Sequence, residues 1–340
     1  MRKLRLNVTP LLIAGARFPL IDELRGLALL LVICYHGGGV LGRPNTLHGE
    51  IGVDLFLMVS GLTLALSSVN LTIGQFFRRR LLRIYPAYWL AMALFLWMHH
   101  KYLGVSYSGA NIALHILGLH AFAPQEYFAA INDSFWFISL IIPAYIVFVA
   151  VRKHLDNFSL LTATGAVLTT IACIAYQETS HNAGLIHLAV RIPSFFIGMI
   201  AGRLLGTGTM EIRFNFPMGL GLLCFFYLMF TRGVIFAYAL PAVGLIITWI
   251  AVHHLLVKVA LGRWLLAAMA SLGVIAYEVY LFHQPLIRDY NLFVYHVWIG
   301  NLAPTTGQVF RGMLLALTLA AVISLIVHWA TNRLFSRDRR

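Results

Sequence analysis

An all-α integral membrane protein of about ten transmembrane helices, plus a short interfacial or re-entrant helix, is the fold the sequence predicts. Three observations predict it. The 340 residues are 60% hydrophobic and only 11% charged, with mean hydropathy +0.82, whereas a soluble domain carries about 25% charged residues. Apolar runs of bilayer-crossing length recur along the chain. Lys and Arg residues collect in the short segments between those runs.

In order, the predicted spans cover 24–41, 51–69, 84–100, 135–151, 158–176, 187–205, 216–231, 233–252, 265–286 and 310–330. Asn111 to Phe122 is apolar but too short to cross, which makes it the interfacial or re-entrant element. With the N-terminus inside, the inner segments hold Arg2, Lys3, Arg5, Arg17, Arg78, Arg79, Arg80, Arg83, Arg152, Lys153, Arg203, Arg213, Lys258, Arg263, Arg333, Arg337, Arg339 and Arg340. The outer loops hold Arg43, Lys101, Arg232, Arg288 and Arg311. An even number of spans then puts both termini in the cytoplasm. Counting 111–122 as a span would turn every later basic loop outward, against the positive-inside rule. Residues 1–340 read as a single polytopic membrane domain with no appended soluble domain. No removable signal peptide is expected, because no short apolar run with a small-residue cleavage site follows the basic start.

The net charge of +13 does not point to nucleic acid, since the charges alternate with apolar runs. Cys34, Cys173 and Cys224 each fall inside an apolar run, make no disulfide or metal spacing, and read as small core residues. No metal site is expected. Gly198, Gly202 and Gly206 recur every fourth residue, the pattern of close helix packing.

Within this frame a few polar residues stand out. Arg25 and His36 lie in the same apolar run. Eleven residues at about 100° each make roughly three turns, so the two share a helix face, about 16 Å apart along the axis. An ionisable group within a span costs of order 2.5–3.5 kcal/mol on insertion scales, so two on one face suggest a polar cleft. The alternative is that Arg25 reaches to the inner surface and His36 makes a single hydrogen bond. At the mouth of span three, four arginines, Arg78, Arg79, Arg80 and Arg83, fall within six positions. In a helix Arg79, Arg80 and Arg83 cluster on one side. Their forks match phosphate oxygens, which suits an anionic cytoplasmic ligand such as a nucleotide-bearing cofactor. A topology signal touching lipid headgroups is the alternative.

On the opposite side, the directions of the spans bring three groups to the outer end: His36, Asp54 and His283. A buried carboxylate needs a partner, and Asp54 beside His36 would orient it as a general base. Asp54 can equally favour the helix N-terminus of span two, and His283 can equally be an interfacial His beside the helix-ending Pro285. Trp136, Ser139 and Arg191 fall on the outer half too, with Asp54 or Glu278 as counter-ions for Arg191. The string His36-Gly37-Gly38-Gly39 looks like a lipase oxyanion loop, but no G-x-S-x-G elbow accompanies it.

Five motifs now lie in order along the chain: Arg25-Gly26 with His36; Gly52-Val53-Asp54-Leu55-Phe56 through Ser60-Gly61; Arg80-x-x-Arg83-Ile84-x-Pro86; Arg191 with Phe195-x-x-Gly198; and Tyr280-Leu281-x-His283-x-Pro285. Together they resemble membrane acyltransferase family three, integral-membrane acyltransferases that mostly O-acetylate carbohydrates. Many members carry W-S-L-S-x-E at span four. Here Trp136-Phe137-Ile138-Ser139-Leu140-Ile141 places Ile141 where the Glu would be, which implies a different acceptor.

The resemblance implies an acyl-CoA donor, usually acetyl-CoA, reached from the cytoplasm. It also implies an acceptor hydroxyl on a carbohydrate or lipid-linked sugar near the outer face of a bacterial cytoplasmic (inner) membrane. On that reading Arg25, Arg79, Arg80 and Arg83 bind the donor. His36, Asp54 and His283 are catalytic, with His36 either the general base or a transient acyl acceptor. Trp136, Ser139, Arg191, Tyr280 and Glu278 bind the acceptor, and membrane lipid surrounds the whole. A non-catalytic carrier or flippase for a lipid-linked sugar is the competing expectation. It explains the polar residues but not the motifs in family order.

Overall fold

The computed structural model describes residues 3–7, 19–41, 49–123, 125–178, 183–207, 209–213, 236–290 and 305–339. Helices dominate them. They are α1 (Pro19–Val40), α2 (Ile51–Ser67), α3 (Ile73–Met98), α4 (Gly109–Leu117), α5 (Gln125–Phe128), α6 (Trp136–Val151), α7 (Phe158–Glu178), α8 (Ala183–Thr207), α9 (Phe236–Leu256), α10 (Ala260–Val274), α11 (Ala276–Pro285) and α12 (Thr306–Arg339). The all-helical expectation needs one amendment. Strand β1 (Lys3–Asn7) pairs antiparallel with β2 (Thr209–Arg213), Lys3 facing Arg213.

Among the described residues, four helical stretches are long and apolar enough to cross a membrane: Ile73–Leu103, Asp133–His154, Gly184–Thr207 and Thr306–Leu334. Ile51–Ser67, Phe158–Ala172 and Pro241–Leu256 are shorter apolar helices. The predicted span 216–231 lies outside the described residues.

Two predicted helices differ in form. The third was expected to start near residue 84 with Tyr85-Pro86. It starts at Ile73, where the Thr72 side chain accepts from the Gln75 backbone N–H and Gln75 returns the bond, a capping box. The arginine-rich segment is therefore the first part of α3, and Pro86 lies inside the helix. The ninth was expected as one span over 265–286. It is two helices, α10 and α11, bent by 75° at Ile275, whose φ of −101° and ψ of 9° leave the helical region. The bend follows Gly273, where an added Cβ would strike the Asp22 carbonyl of α1.

Glycines decide how closely the site-bearing helices approach. On the α2/α8 seam, added Cβ atoms at Gly61, Gly198 and Gly202 would collide with the carbonyl oxygens of Phe195, Met58 and Leu62 respectively. The every-fourth-residue pattern is thus a packing stripe, although Gly206 meets only the end of Leu66. Gly26 does the same for α1 against Met269 of α10. Large rings fill the space between α3 and α6: Phe76 stacks on Phe148 at 5.3 Å, and Tyr88 meets Phe135 edge-on at 4.9 Å. Cys34 is exposed, contrary to the expected core position, because the buried face of α1 is taken by Leu24, Ala28, Leu29 and Val32.

Candidate functional site

The two polar groups on α1 lead to two separate clusters, one at each end of the helix. At the Arg25 end, the early α3 segment delivers Arg79, Arg80 and Arg83. Arg25, Arg80 and Arg83 lie within electrostatic range of one another and of Tyr145 from α6, with Arg79 beside Arg80. Arg25 donates to Asp22 at 2.7 Å, and Arg80 donates to the Ser68 hydroxyl at 2.7 Å. The Arg80 Nε is buried without a partner. Arg83 donates to Glu278 Oε1 at 2.7 Å, and His328 Nδ1 lies 3.0 Å from the same oxygen. Asn332 Nδ2 meets His328 Nε2 at 2.8 Å. After these pairings the cluster still carries more cations than carboxylates, which suits an anion such as a phosphate.

Glu278 was expected in the acceptor group, as a counter-ion for Arg191. The structure places it with Arg83 instead. The bend after Val274 turns the first turn of α11 toward α3 and α12, and Glu278 is fully buried there. Five residues on, His283 belongs to the other cluster.

At the His36 end, His36 and His283 lie with ring centroids 5.1 Å apart. Tyr280 offers a carbonyl to His283 Nδ1 at 2.7 Å. A carbonyl only accepts, so Nδ1 carries the hydrogen and Nε2 keeps its lone pair. That Nε2 is buried without a partner, next to the His36 ring. His36 lines two cavities. One, of ≈ 190 Å³, also holds Tyr35, Glu50, Trp136, His187, Arg191 and Tyr280. The other, of ≈ 280 Å³, holds Asp133, Gln284 and Arg288. Among the described residues no side chain hydrogen-bonds His36.

Asp54 is not the partner of His36. It is fully buried one layer away: the Ser194 hydroxyl donates to its Oδ1 at 2.5 Å, and Arg191 Nε lies 3.7 Å from its Oδ2. The reason is the close glycine seam, which presses α2 onto α8 and leaves Asp54 facing that helix. Arg191 also sits 3.8 Å from Glu50, donates to His187 Nδ1 at 2.9 Å and lies 4.9 Å over the Trp136 ring. Asp54 thus anchors Arg191, one of the two counter-ion arrangements the sequence left open. Ser139 does not reach either His36 cavity. It is buried and accepts from the Ala121 backbone N–H at 3.3 Å, fixing the connection after α4. Tyr280 and Trp136 do line the cleft, and the Tyr280 hydroxyl donates to the Ser134 carbonyl at 2.8 Å.

Glu50, Asp133, His187, Gln284, Arg288 and His328 escaped the sequence reading. Two had a usable signal. His187 stands four residues before Arg191, on the same helix face. His328 is an ionisable residue inside the last predicted span, 310–330, the criterion that singled out His36. Glu50, Asp133 and Arg288 lie at helix ends, where charged residues are ordinary, so only their convergence marks them.

Residues 19–333 match the model of the acyltransferase domain of acyltransferase family three. A membrane-bound transacylase of Komagataeibacter xylinus, BcsY, is 28% identical over 308 residues, covering 80% of this chain and 74% of its own. A protein of Acidianus two-tailed virus named as an acetyltransferase is 28% identical over 305 residues, covering 83% and 86%. A third, named protein 2 in the picA locus of Rhizobium radiobacter, is 38% identical over 84 residues, or 23% of this chain and 44% of its own. No solved structure matches. The chain belongs to acyltransferase family three: it is a membrane acyltransferase that transfers groups other than aminoacyl groups.

Proposed function

We propose that the protein is an O-acyltransferase, and specifically an O-acetyltransferase, of a bacterial cytoplasmic membrane. It takes the acyl group of cytoplasmic acyl-CoA, acetyl-CoA in the first instance, and delivers it to a hydroxyl of a carbohydrate or lipid-linked sugar near the outer face. The reading includes ten spans with both termini inside. The observation that carries it is the pair of clusters on α1: a surplus of cations around Arg25, Arg80 and Arg83, and about 16 Å along the helix an imidazole in a cleft. That separation suits an extended donor whose phosphates sit at one end and whose thioester sits at the other.

In this reading Arg80 and Arg83, with Arg79 beside them, hold the donor phosphates, and Arg25 contacts the donor along the cleft. His36 takes the proton of the acceptor hydroxyl. His283, its ring centroid 5.1 Å from that of His36, stays in the neutral Nδ1–H form set by the Tyr280 carbonyl and keeps a second imidazole beside the base. Trp136, Tyr280 and Arg191 form the acceptor wall.

The test incubates membranes with labelled acetyl-CoA and follows the label into glycolipid, polymer and protein. The parent is expected to transfer label, and His36→Ala is expected to abolish transfer. Arg80→Gln is expected to raise KM for the donor about 10-fold or more, as loss of a charge-assisted hydrogen bond implies. Full transfer by His36→Ala would overturn the assignment.

A further inference from the structure

His187 has no part in the reaction as described so far, yet its surroundings prepare one form of it. An arginine only donates hydrogen bonds. Arg191 Nη1 lies 2.9 Å from His187 Nδ1, so Nδ1 must be the accepting, unprotonated nitrogen and the ring hydrogen must reside on Nε2. An imidazolium would put two donors face to face beside a cation. The ring is also fixed in orientation. It is stacked between Trp136, 4.5 Å away at 16°, and Phe128, 5.5 Å away at 13°. It lines the same ≈ 190 Å³ cleft as His36 and Tyr280. Among the described residues no group takes its Nε2–H.

A rigid, neutral N–H donor, polarised through its ring by a guanidinium and facing a small cleft beside a base, is a preorganised electrophile. We propose that His187 Nε2–H stabilises the oxyanion of acyl transfer. The proposal rests on the O-acyltransferase reading above. As the acceptor oxygen bonds to the thioester carbonyl carbon, the carbonyl π pair moves onto its oxygen, and the acceptor's proton passes to His36. Nε2–H donates a hydrogen bond to that oxygen and keeps its proton. The oxyanion then collapses, the C–S bond breaks with its electron pair on sulfur, and the leaving thiolate recovers the proton from His36. Arg191 acts through His187 as a positioning residue, itself held by Asp54 and Glu50.

The experiment has two arms on the full-length protein in nanodiscs. In the kinetic arm, His187→Ala is expected to lower kcat by about 10²–10³, the cost of an oxyanion donor, with KM for acetyl-CoA within threefold of the parent. His187→Gln, which keeps an N–H donor, is expected to recover at least 10-fold of that loss, and its unfolding temperature reports whether the cleft is intact. A kcat for His187→Ala within threefold of the parent, or a rise in KM alone, overturns the proposal. The second arm records ¹⁵N shifts of histidine-labelled protein, with His187→Gln assigning the signal, and needs no turnover. The expected state at pH 7 is neutral with hydrogen on Nε2. An Nδ1–H tautomer or an imidazolium overturns the proposal even if the parent transfers label. Absence of transfer by the parent, with the Nε2–H tautomer observed, counts against the acyltransfer reading instead.

Discussion

Replacing Asp54 and Arg191 separately and together measures how the site is held. Asp54 is fully buried and Arg191 is 1% exposed, with Arg191 Nε 3.7 Å from Asp54 Oδ2. Removing one member of a buried pair leaves the other charge without compensation, at a cost of about 3–5 kcal/mol. Asp54→Leu leaves Arg191 with Glu50 at 3.8 Å, a carboxylate 31% exposed, so the lower end, about 3 kcal/mol, is expected. Arg191→Met leaves Asp54 with the Ser194 hydroxyl at 2.5 Å and, among the described residues, no other cation acting on it. About 4 kcal/mol follows, toward the upper part of the same range. The double variant replaces the pair by apolar side chains of similar length. Such replacements are neutral or stabilising, so it should be more stable than either single variant, with a coupling of several kcal/mol across the cycle. The assay is unfolding in mixed micelles for all four proteins, together with acyl transfer. Activity should stay low in the double variant, because His187 has lost the group that fixes it. A double variant no more stable than the weaker single one would refute the buried pair. Full activity in it would refute the positioning of His187.

Two other outcomes follow from the packing and the buried histidines. Gly198→Ala places a methyl against the Met58 carbonyl and should destabilise by about 1–3 kcal/mol. Gly244→Ala meets no atom within 4 Å, so it should be neutral or stabilising by up to about 1 kcal/mol, and equal unfolding temperatures for the two would sink the seam argument. His115 and His120, outside the candidate spans, stack at 3.9 Å and 11° and are fully buried. Burial lowers their pKa to about 4 and about 3, with the neighbouring His115 lowering His120 further. The unfolded chain takes up protons at about pH 6.5 and the folded one does not, so stability is complete above that pH and falls below it by up to about 1.4 kcal/mol per pH unit per histidine. A His115→Phe/His120→Leu variant should lose less stability than the parent between pH 7 and 5. Parallel curves for the two would refute the assignment.

The sequence by itself determined the membrane class, the helical character and the family. These rest on local properties: the length of apolar runs, the charge between them, and motifs that survive as strings. It also singled out His36, because an ionisable residue in an apolar run is conspicuous whatever surrounds it. Tertiary structure decided the partnerships. Asp54 was open to His36, to the helix N-terminus and to Arg191 until glycines at 61, 198 and 202 brought α2 against α8. Glu278 moved to Arg83 because of a 75° bend with no proline at it to announce it. His187 became a fixed donor only when the α8 arginine, Trp136 of α6 and Phe128 of α5 met around it. Each of these depends on contacts between residues tens to hundreds of positions apart. Hydropathy and spacing report the free energy of placing one segment in a bilayer, whereas the charge state and tautomer of a buried group are set by whichever distant side chain reaches it.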